Sequence, residues 1–396
     1  MVNKNDNTIK INGKIDSNNA AEFEKQLLSA AGENYGDITL DAGELEYISS
    51  AGLRVLLKLK KGTKGKVSII NVSSDVYDIF GVTGFDNILE VKKAIREIDV
   101  KGCEIIGQGG NGTVYRLDAD TIVKVYRPIV RLEQIERERE FAKNALVNGV
   151  PCVIAYDVVK CGDSYGIVFE MLKSDTLGHA MKNNPEKMDE YIKKYVALAK
   201  ELHTAKIEKG VFTNIKTVLH ERVPKLEKWC TPEEMELLDS LIDEMPDSDS
   251  LIHGDLHPGN IMIQDGELLL IDMPEVTVGA PIWDLAGIFR DMISAPQNSS
   301  EIIELSTGMP KELILEAGYK FFAGYTGITD KAELEAYFKK IGLVYAFNVV
   351  LIVGAGSKNA TAAAPMVMDT LLRKIVIPNE QALRYILKSE SNKGAV

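Results

Sequence analysis

Between Leu251 and Met262 the chain reads Leu-Ile-His-Gly-Asp-Leu-His-Pro-Gly-Asn-Ile-Met, and soon after it reads Leu268-Leu-Leu-Ile-Asp272. Few polar strings constrain a fold so tightly. Asp255 and Asn260 share one loop. The apolar run from Glu267 to Ile271 reads as a strand that delivers a second aspartate, Asp272, beside them. Phosphoryl transfer needs these residue types in this order. One carboxylate accepts the proton of an attacking hydroxyl, and the other oxygen donors hold Mg²⁺ against nucleotide phosphates.

Upstream segments fall in the order that this chemistry requires. Ile105-Ile-Gly-Gln-Gly-Gly-Asn-Gly-Thr-Val-Tyr115 is a glycine-rich loop, with Gly107, Gly109, Gly110 and Gly112 as candidates to cover phosphates. Gly107, Gly109 and Gly112 also satisfy G-x-G-x-x-G, a pattern shared with dinucleotide-binding folds. A dinucleotide loop opens a helix. Here Thr113 to Leu117 is β-branched and alternating, so it reads as a strand. A second strand, Thr121 to Tyr126, presents Lys124, placed to reach the phosphates. An isolated strand lysine is usually only an exposed charge. The loop before it and the Asp/Asn set after it favour the functional reading. Arg131 to Leu146 reads as an acidic helix whose glutamates include the partner for Lys124. Glu138 is the first choice, with Glu136 and Glu140 as alternatives. Strands are predicted at Val153–Val159 and Tyr165–Met171. The second runs into Phe169-Glu-Met-Leu172, where Glu170 marks a hinge whose backbone can pair with an adenine ring.

From about residue 100 to 396 these motifs resemble the aminoglycoside phosphotransferase and choline kinase branch of the kinase fold. His253-Gly-Asp-Leu-His-Pro-Gly-Asn260 resembles that branch's H-G-D-x-H-x-x-N loop, and Asp272-Met-Pro stands where protein kinases carry D-F-G. Leu202-His203 closes a long helix, about Asp189 to Ile207, as such a pair does in these enzymes. The resemblance implies that Asp284, in Pro281-Ile-Trp-Asp-Leu-Ala286, braces the loop without doing chemistry. The short gap between Asp272 and Asp284 leaves no room for a long activation segment, which favours a small-molecule acceptor. His253 reads as a packing residue, and His257 as a contact for the phosphates or Asp255. Zinc is disfavoured, because no third ligand stands at a recognised spacing.

The first hundred residues follow a separate logic. Thr8 to Ile15 alternates as a half-buried strand does. Asn18 to Ala31 reads as an amphipathic helix with Ala20, Phe23 and Leu27 on one face. Further strands are expected at Asp37–Leu40 and Lys66–Val72. Helices are expected at Ser50–Lys61, around Val76–Phe80, and at Glu90–Ile98. Such alternation in so short a span predicts a small layered α/β domain. Ile38-Thr-Leu-Asp41 and Leu45-Glu-Tyr-Ile-Ser-Ser-Ala-Gly-Leu53 resemble the STAS family of anti-sigma-factor antagonists. In that family a serine before this helix is phosphorylated by a partner kinase and so switches binding. Ser50 aligns with it, and Ser49 replaces the family's aspartate. Ser50 is read as an N-cap hydroxyl. A phosphate there would also be favoured by the helix amides and dipole.

The expected architecture is therefore α/β plus α+β. A STAS-like α/β domain (1–98) precedes a bilobal protein-kinase-like domain (99–396), with its small lobe at about 100–173 and its helical lobe at about 174–396. Charge is unevenly divided. Residues 1–98 carry 13 Lys and Arg against 14 Asp and Glu, and the remainder carries 33 against 44. An acidic second part argues against a nucleic-acid partner and suits a cationic acceptor. Four scattered cysteines without C-x-x-C spacing suit a reducing compartment. The polar N-terminus lacks a signal-peptide pattern, and Leu343–Ala355 is short for a membrane span and reads as a core helix. A cytoplasmic location with no membrane partner is expected.

The leading expectation is an ATP- and Mg²⁺-dependent phosphotransferase acting on a hydroxyl of an aminoglycoside- or choline-like acceptor. Asp255 and Lys124 would be catalytic, Asn260 and Asp272 would hold metal, and the STAS domain would be regulatory and receive a protein partner. The alternatives are a protein serine kinase acting on Ser50 and a non-catalytic nucleotide-sensing scaffold.

Overall fold

The computed structural model describes residues 2–5, 8–32, 36–205, 207–298, 304, 307–356 and 358–389. Most of the polar tail after Leu387 lies outside them. The chain forms two compact units, residues 1–99 with 159–163, and residues 100–158 with 164–396.

The first unit is a mixed five-stranded sheet flanked by helices. Its elements are β1 (Val2–Asn5), β2 (Thr8–Ile15), α1 (Ala20–Ala31), β3 (Ile38–Ile48), α2 (Ser50–Gly62), β4 (Val67–Val72), α3 (Ser74–Val82) and β5 (Glu90–Lys93). The strands lie in the order β1-β2-β3-β4-β5. β1 runs antiparallel to β2, and every later pairing is parallel. Ala20, Phe23 and Leu27 bury one face of α1, while Leu53, Leu56 and Leu59 do the same for α2. Alternate residues of β3 and β4, among them Ile38, Leu40, Val67 and Ile69, complete the core.

Two expectations fail in this unit. Glu90 to Ile98 is not a helix. Glu90–Lys93 is the edge strand β5, and Arg96–Glu97 forms the two-residue strand β6. The segment is rich in Glu, Lys and Arg, which favour a helix locally. A long-range pairing decides otherwise: Ser68 and Ile69 of β4 lie beside Glu90 and Val91, and Ser68 Oγ donates to Glu90 at 2.9 Å. Charges suit an exposed sheet edge, where they discourage pairing with another chain. Nor is Ser50 the N-cap of α2. Ser49 has the extended backbone of a cap, and its Oγ accepts from the Gly52 N–H at 3.4 Å. Ser50 is the first residue inside the helix and is exposed.

The second unit has two lobes. The small lobe holds β7 (Ile105–Gln108), β8 (Gly112–Arg116), β9 (Thr121–Tyr126), α4 (Leu132–Val147), β10 (Ala155–Cys161) and β11 (Ser164–Glu170), with these strands ordered β10-β11-β9-β8-β7. The last two strands begin and end a residue or two away from their expected limits. Below them lie α5 (Leu177–Asn183), α6 (Met188–Thr204), α7 (Ile215–Arg222) and α8 (Pro232–Asp243). The short strands β12 (Leu251–Ile252), β13 (Ile261–Gln264), β14 (Glu267–Leu270) and β15 (Thr277–Val278) follow, and then α9 (Ile282–Phe289). Long helices at Lys311–Thr326 and Lys331–Val353 add to the core, which helical segments between Lys358 and Ser389 complete. The helix Lys331–Val353 is long and apolar enough to cross a membrane by length and composition alone. Nine of its side chains, including Phe338, Phe347 and Leu351, are buried among the other helices.

Candidate functional site

Local pairings assemble the polar string. Leu251 and Ile252 pair with Val278 and Thr277, which fixes the entry to the loop. β13 and β14 form a hairpin with Ile261 opposite Leu270, which fixes its exit. The Ile271 N–H donates to the Asn260 carbonyl at 3.0 Å, and His253 Nε2 lies 3.1 Å from the Ile271 carbonyl. Asp255, Asn260 and Asp272 are therefore held by one small network.

Beneath the loop Asp284 is buried, with 1% exposure. Its carboxylate accepts from the His253 N–H at 2.9 Å and the Gly254 N–H at 2.7 Å, and lies 3.0 Å from His203 Nε2. His203 Nδ1 in turn meets the Tyr325 hydroxyl at 2.7 Å. Gly254 has φ +85°, and a Cβ there would fall 2.8–2.9 Å from Glu275 atoms, so only glycine fits this turn. His253 is fully buried and its pKa lies below the ordinary 6.5, chiefly because burial penalises the charged ring.

Both oxygens of Asp255 are engaged. Oδ2 accepts from Asn260 Nδ2 at 3.1 Å and faces His257 Nε2 at 3.6 Å, while Oδ1 accepts from Arg290 Nη2 at 2.8 Å. Burial pushes this carboxyl up, but His257 and Arg290 outweigh it and hold it well below the usual carboxylate range. Arg290 also grips the buried Asp291 through Nε at 2.7 Å and Nη2 at 2.6 Å. Asn260 donates a second bond to the Asp255 carbonyl at 3.0 Å. Arg290 was not anticipated from the sequence. A lone arginine after the apolar run of α9 carries no motif, although it is an unusual charge in so apolar a stretch.

On the small-lobe side, Lys124 Nζ bridges two carboxylates, Glu138 Oε1 at 3.1 Å and Asp272 Oδ1 at 2.7 Å. Glu138, rather than Glu136 or Glu140, faces the lysine. Burial and the neighbouring Asp272 push the Glu138 carboxyl up, against the pull of Lys124. Burial lowers the Lys124 ammonium, but the two carboxylates outweigh it, and the group stays charged. Asp272 has φ +61°, a left-handed conformation that costs a non-glycine residue roughly 1–2 kcal/mol and so marks a position held by its surroundings.

The glycine loop makes a tight bend between β7 and β8. The Gly109 N–H donates to the Gly112 carbonyl at 2.9 Å, and the Arg127 N–H to the Asn111 carbonyl at 3.0 Å. A Cβ on Gly112 would stand 2.2 Å from the Val125 carbonyl, so the hairpin requires glycine there. Gly109 and Gly110 meet no protein atom within 4 Å of an added Cβ, and Gly107 meets only Val114 at 3.6 Å. The Glu170 carboxylate is committed to the Ile154 N–H at 2.7 Å, and the Glu170 N–H donates to the Ile154 carbonyl.

A glycine hairpin, a strand lysine paired to a helix glutamate, and an Asp/Asn loop under a second aspartate together define a kinase-like fold. Residues 102–308 match the model of the phosphotransferase enzyme family, APH, and residues 1–98 match that of the STAS domain. The chain belongs to the phosphotransferase enzyme family and carries a STAS domain at its N-terminus. It is a phosphotransferase. A curated protein of Bordetella bronchiseptica named "Putative anti-sigma factor antagonist BtrV" is 33% identical over 84 residues, which cover 20% of this chain and 72% of that protein. Solved structures similar to the chain include the streptomycin-ATP-APH(2")-IIa ternary complex, at 16% identity and TM-score 0.45 over 69% of this chain and 93% of the other. Another is a choline/ethanolamine kinase family protein from Mesorhizobium loti, at 14% identity and TM-score 0.46 over 72% and 92%.

Proposed function

We propose that the chain transfers the γ-phosphate of ATP, with Mg²⁺, to a hydroxyl of a small amine-bearing acceptor of the aminoglycoside or choline kind. The observation that carries this reading is the Asp255 carboxylate, ionised, fixed at both oxygens, and tied through Asn260 and Ile271 to the Asp272–Lys124–Glu138 chain of charges.

The donor set fits a hard divalent cation. Asn260 spends its Nδ2 on Asp255, and its Oδ1 has no partner among the described residues. The Asp272 carboxylate supplies oxygen beside it, and oxygen ligands are what Mg²⁺ takes. Asn260 and Asp272 would hold the ion, which would neutralise charge on the bridging phosphate oxygens. Lys124, positioned by Glu138, binds the α- and β-phosphates. The open space at Gly109 and Gly110 lets backbone N–H groups approach the phosphates closely. The Glu170 and Met171 N–H groups are spent on the Ile154 and Asp120 carbonyls, so adenine would pair with the remaining backbone groups of the hinge at Glu170–Leu172.

Asp255 is too weak a base to remove a proton from a resting alcohol. It orients the hydroxyl by accepting its hydrogen bond, and takes the proton late, as the new O–P bond forms and the bond to ADP breaks. Arg290 is a positioning residue that fixes the carboxylate plane. The acidic balance of the second part suits a cationic acceptor. The protein is read as cytoplasmic, with a protein partner at the STAS domain.

The test is mass spectrometry of the full chain with ATP and Mg²⁺, alone and with pooled amines, aminoglycosides and sugars. A small molecule should gain one phosphate with wild type, and the yield should fall at least about a hundredfold in Asp255→Ala and Asp272→Ala. Transfer undiminished in Asp255→Ala would falsify the assignment. A second reading has one observation in its favour: Ser50 is an exposed hydroxyl at the first position of a helix, where a phosphate gains from free amides. In that reading the phosphate appears on the protein and is lost in Ser50→Ala.

A further inference from the structure

The helix that supplies Glu138 belongs to two cores. Ile135, near the start of α4, packs in the small-lobe cluster with Tyr126, Ile167 and Phe169. Phe141, Ala142 and Ala145, about two to three turns later, pack in the main core of the helical lobe. Glu138 sits between the two. Two contacts fasten this junction to one short segment of the helical lobe, and a third, within α4, ties them together. The Phe141 and Phe212 rings are 5.4 Å apart, with both side chains buried. Arg137 lies over the Phe141 ring, 4.9 Å from its centroid. Its Nη2 also donates to Thr213 Oγ1 at 3.2 Å.

The same segment is fastened at its other side to the polar loop. The Thr213 carbonyl accepts from the Val278 N–H at 3.0 Å, and Asn214 bridges to Val278. Val278 pairs with Leu251, two residues before His253. Glu138 and Asp255 are thus referred to one piece of backbone.

We propose that Phe212–Asn214 is a strut that sets Glu138, and through it Lys124, in register with the Asp255 loop. Its consequence is a lysine–glutamate pair that stays assembled. Swinging α4 outward would expose Phe141 and Phe212 and open the helical-lobe core, so the site is not switched by movement of this helix. Phe212, Thr213, Arg137 and Phe141 are positioning residues, each acting on nucleotide through Glu138.

This inference rests on the nucleotide-binding reading above, and the experiment separates the two. The full chain is compared with Thr213→Val, which keeps shape and removes the acceptor, and with Phe212→Leu, which keeps an apolar side chain. Two quantities are measured: hydrogen exchange of the α4 amides, and affinity for MgATP by calorimetry, in the Glu138 and Glu138→Gln backgrounds. Faster exchange in α4 is expected in both variants. A loss of MgATP affinity of about fivefold to tenfold is also expected, most of it vanishing in the Glu138→Gln background, because both changes remove the same interaction. Equal losses in both backgrounds would mean general loosening and would overturn the strut, as would unchanged α4 exchange. Should Phe212→Leu fail to fold, Thr213→Val carries the test. A wild-type chain that takes up no MgATP would overturn the phosphotransferase assignment alone, because α4 exchange still reads the strut.

Discussion

The two units keep their polar groups in opposite places. Among the described residues of 1–99, the STAS part, the buried side chains are Ile, Leu, Val, Phe and Ala, and no polar or charged side chain joins them. Among the described residues of the phosphotransferase unit nine do: Glu138, His203, His253, His257, Asn260, Thr277, Asp284, Asp291 and Thr307. Burying such groups costs several kcal/mol each unless partners replace water. A core built for stability alone has no reason to hold them, and the first unit shows that this chain can build such a core. In the second unit most of them gather around one loop and one lysine. The difference separates a domain with an apolar core and an exposed Ser50 from one whose polar loop is held in place from beneath.

The contrast is broken most directly at Asp284. Asp284→Ala leaves two backbone N–H groups and His203 without their acceptor in a buried place, which should cost about 3–5 kcal/mol. Both tryptophans, Trp229 and Trp283, lie in the second unit, so tryptophan fluorescence during urea unfolding follows that unit. Its midpoint should fall sharply in Asp284→Ala, while β-sheet exchange in the first unit stays as in wild type. An unmoved midpoint would mean that the brace is not structural.

Arg290→Met comes next. It leaves Asp255 and Asp291 without their shared cation and should lower kcat about tenfold to a hundredfold, with a smaller change in KM for ATP. A change confined to KM would place Arg290 with the nucleotide and not with Asp255.

Arg290 also shows what the sequence hides. The glycine loop, Lys124, the Asp/Asn loop and Asp272 are legible because their chemistry needs specific residues at short, ordered spacings. Arg290 acts across 35 positions, and nothing local announces it. The sheet edge at Glu90–Lys93 was hidden for a related reason. Its residues prefer a helix, and only its neighbour β4, about twenty residues away, makes it a strand. The cap of α2 was misplaced by one residue because Ser49 and Ser50 are chemically the same, and backbone angles alone choose between them. Which glutamate meets Lys124 was likewise settled by the rotation of α4, which a run of charges does not fix.

His253 gives a milder test. Its folded pKa lies below the ordinary 6.5, so the unfolded chain binds a proton that the folded chain refuses. Its contribution is complete above about pH 6.5 and is lost as pH falls from there toward the lowered folded value, at most about 1.4 kcal/mol per pH unit. The pH dependence of the tryptophan-monitored midpoint should therefore be steeper in wild type than in His253→Gln between roughly pH 6.5 and 5. Parallel curves would show that folding leaves the pKa of the ring unshifted.

The smallest effect is expected in the first unit, and it sharpens the contrast from the other side. Ser49 Oγ receives the Gly52 N–H at 3.4 Å, near the long limit of a hydrogen bond. Ser49→Ala should therefore cost about 0.5–1 kcal/mol, at the lower end for a lost cap. Hydrogen exchange at the first amides of α2 should rise severalfold, while the tryptophan midpoint does not move. Ser50→Ala removes only an exposed hydroxyl inside the first turn, and alanine is the better helix former, so exchange there should stay level or slow. If Ser50→Ala instead loosens α2 more than Ser49→Ala does, Ser50 carries a structural bond in solution. It would then be a poor candidate for a free phosphate acceptor.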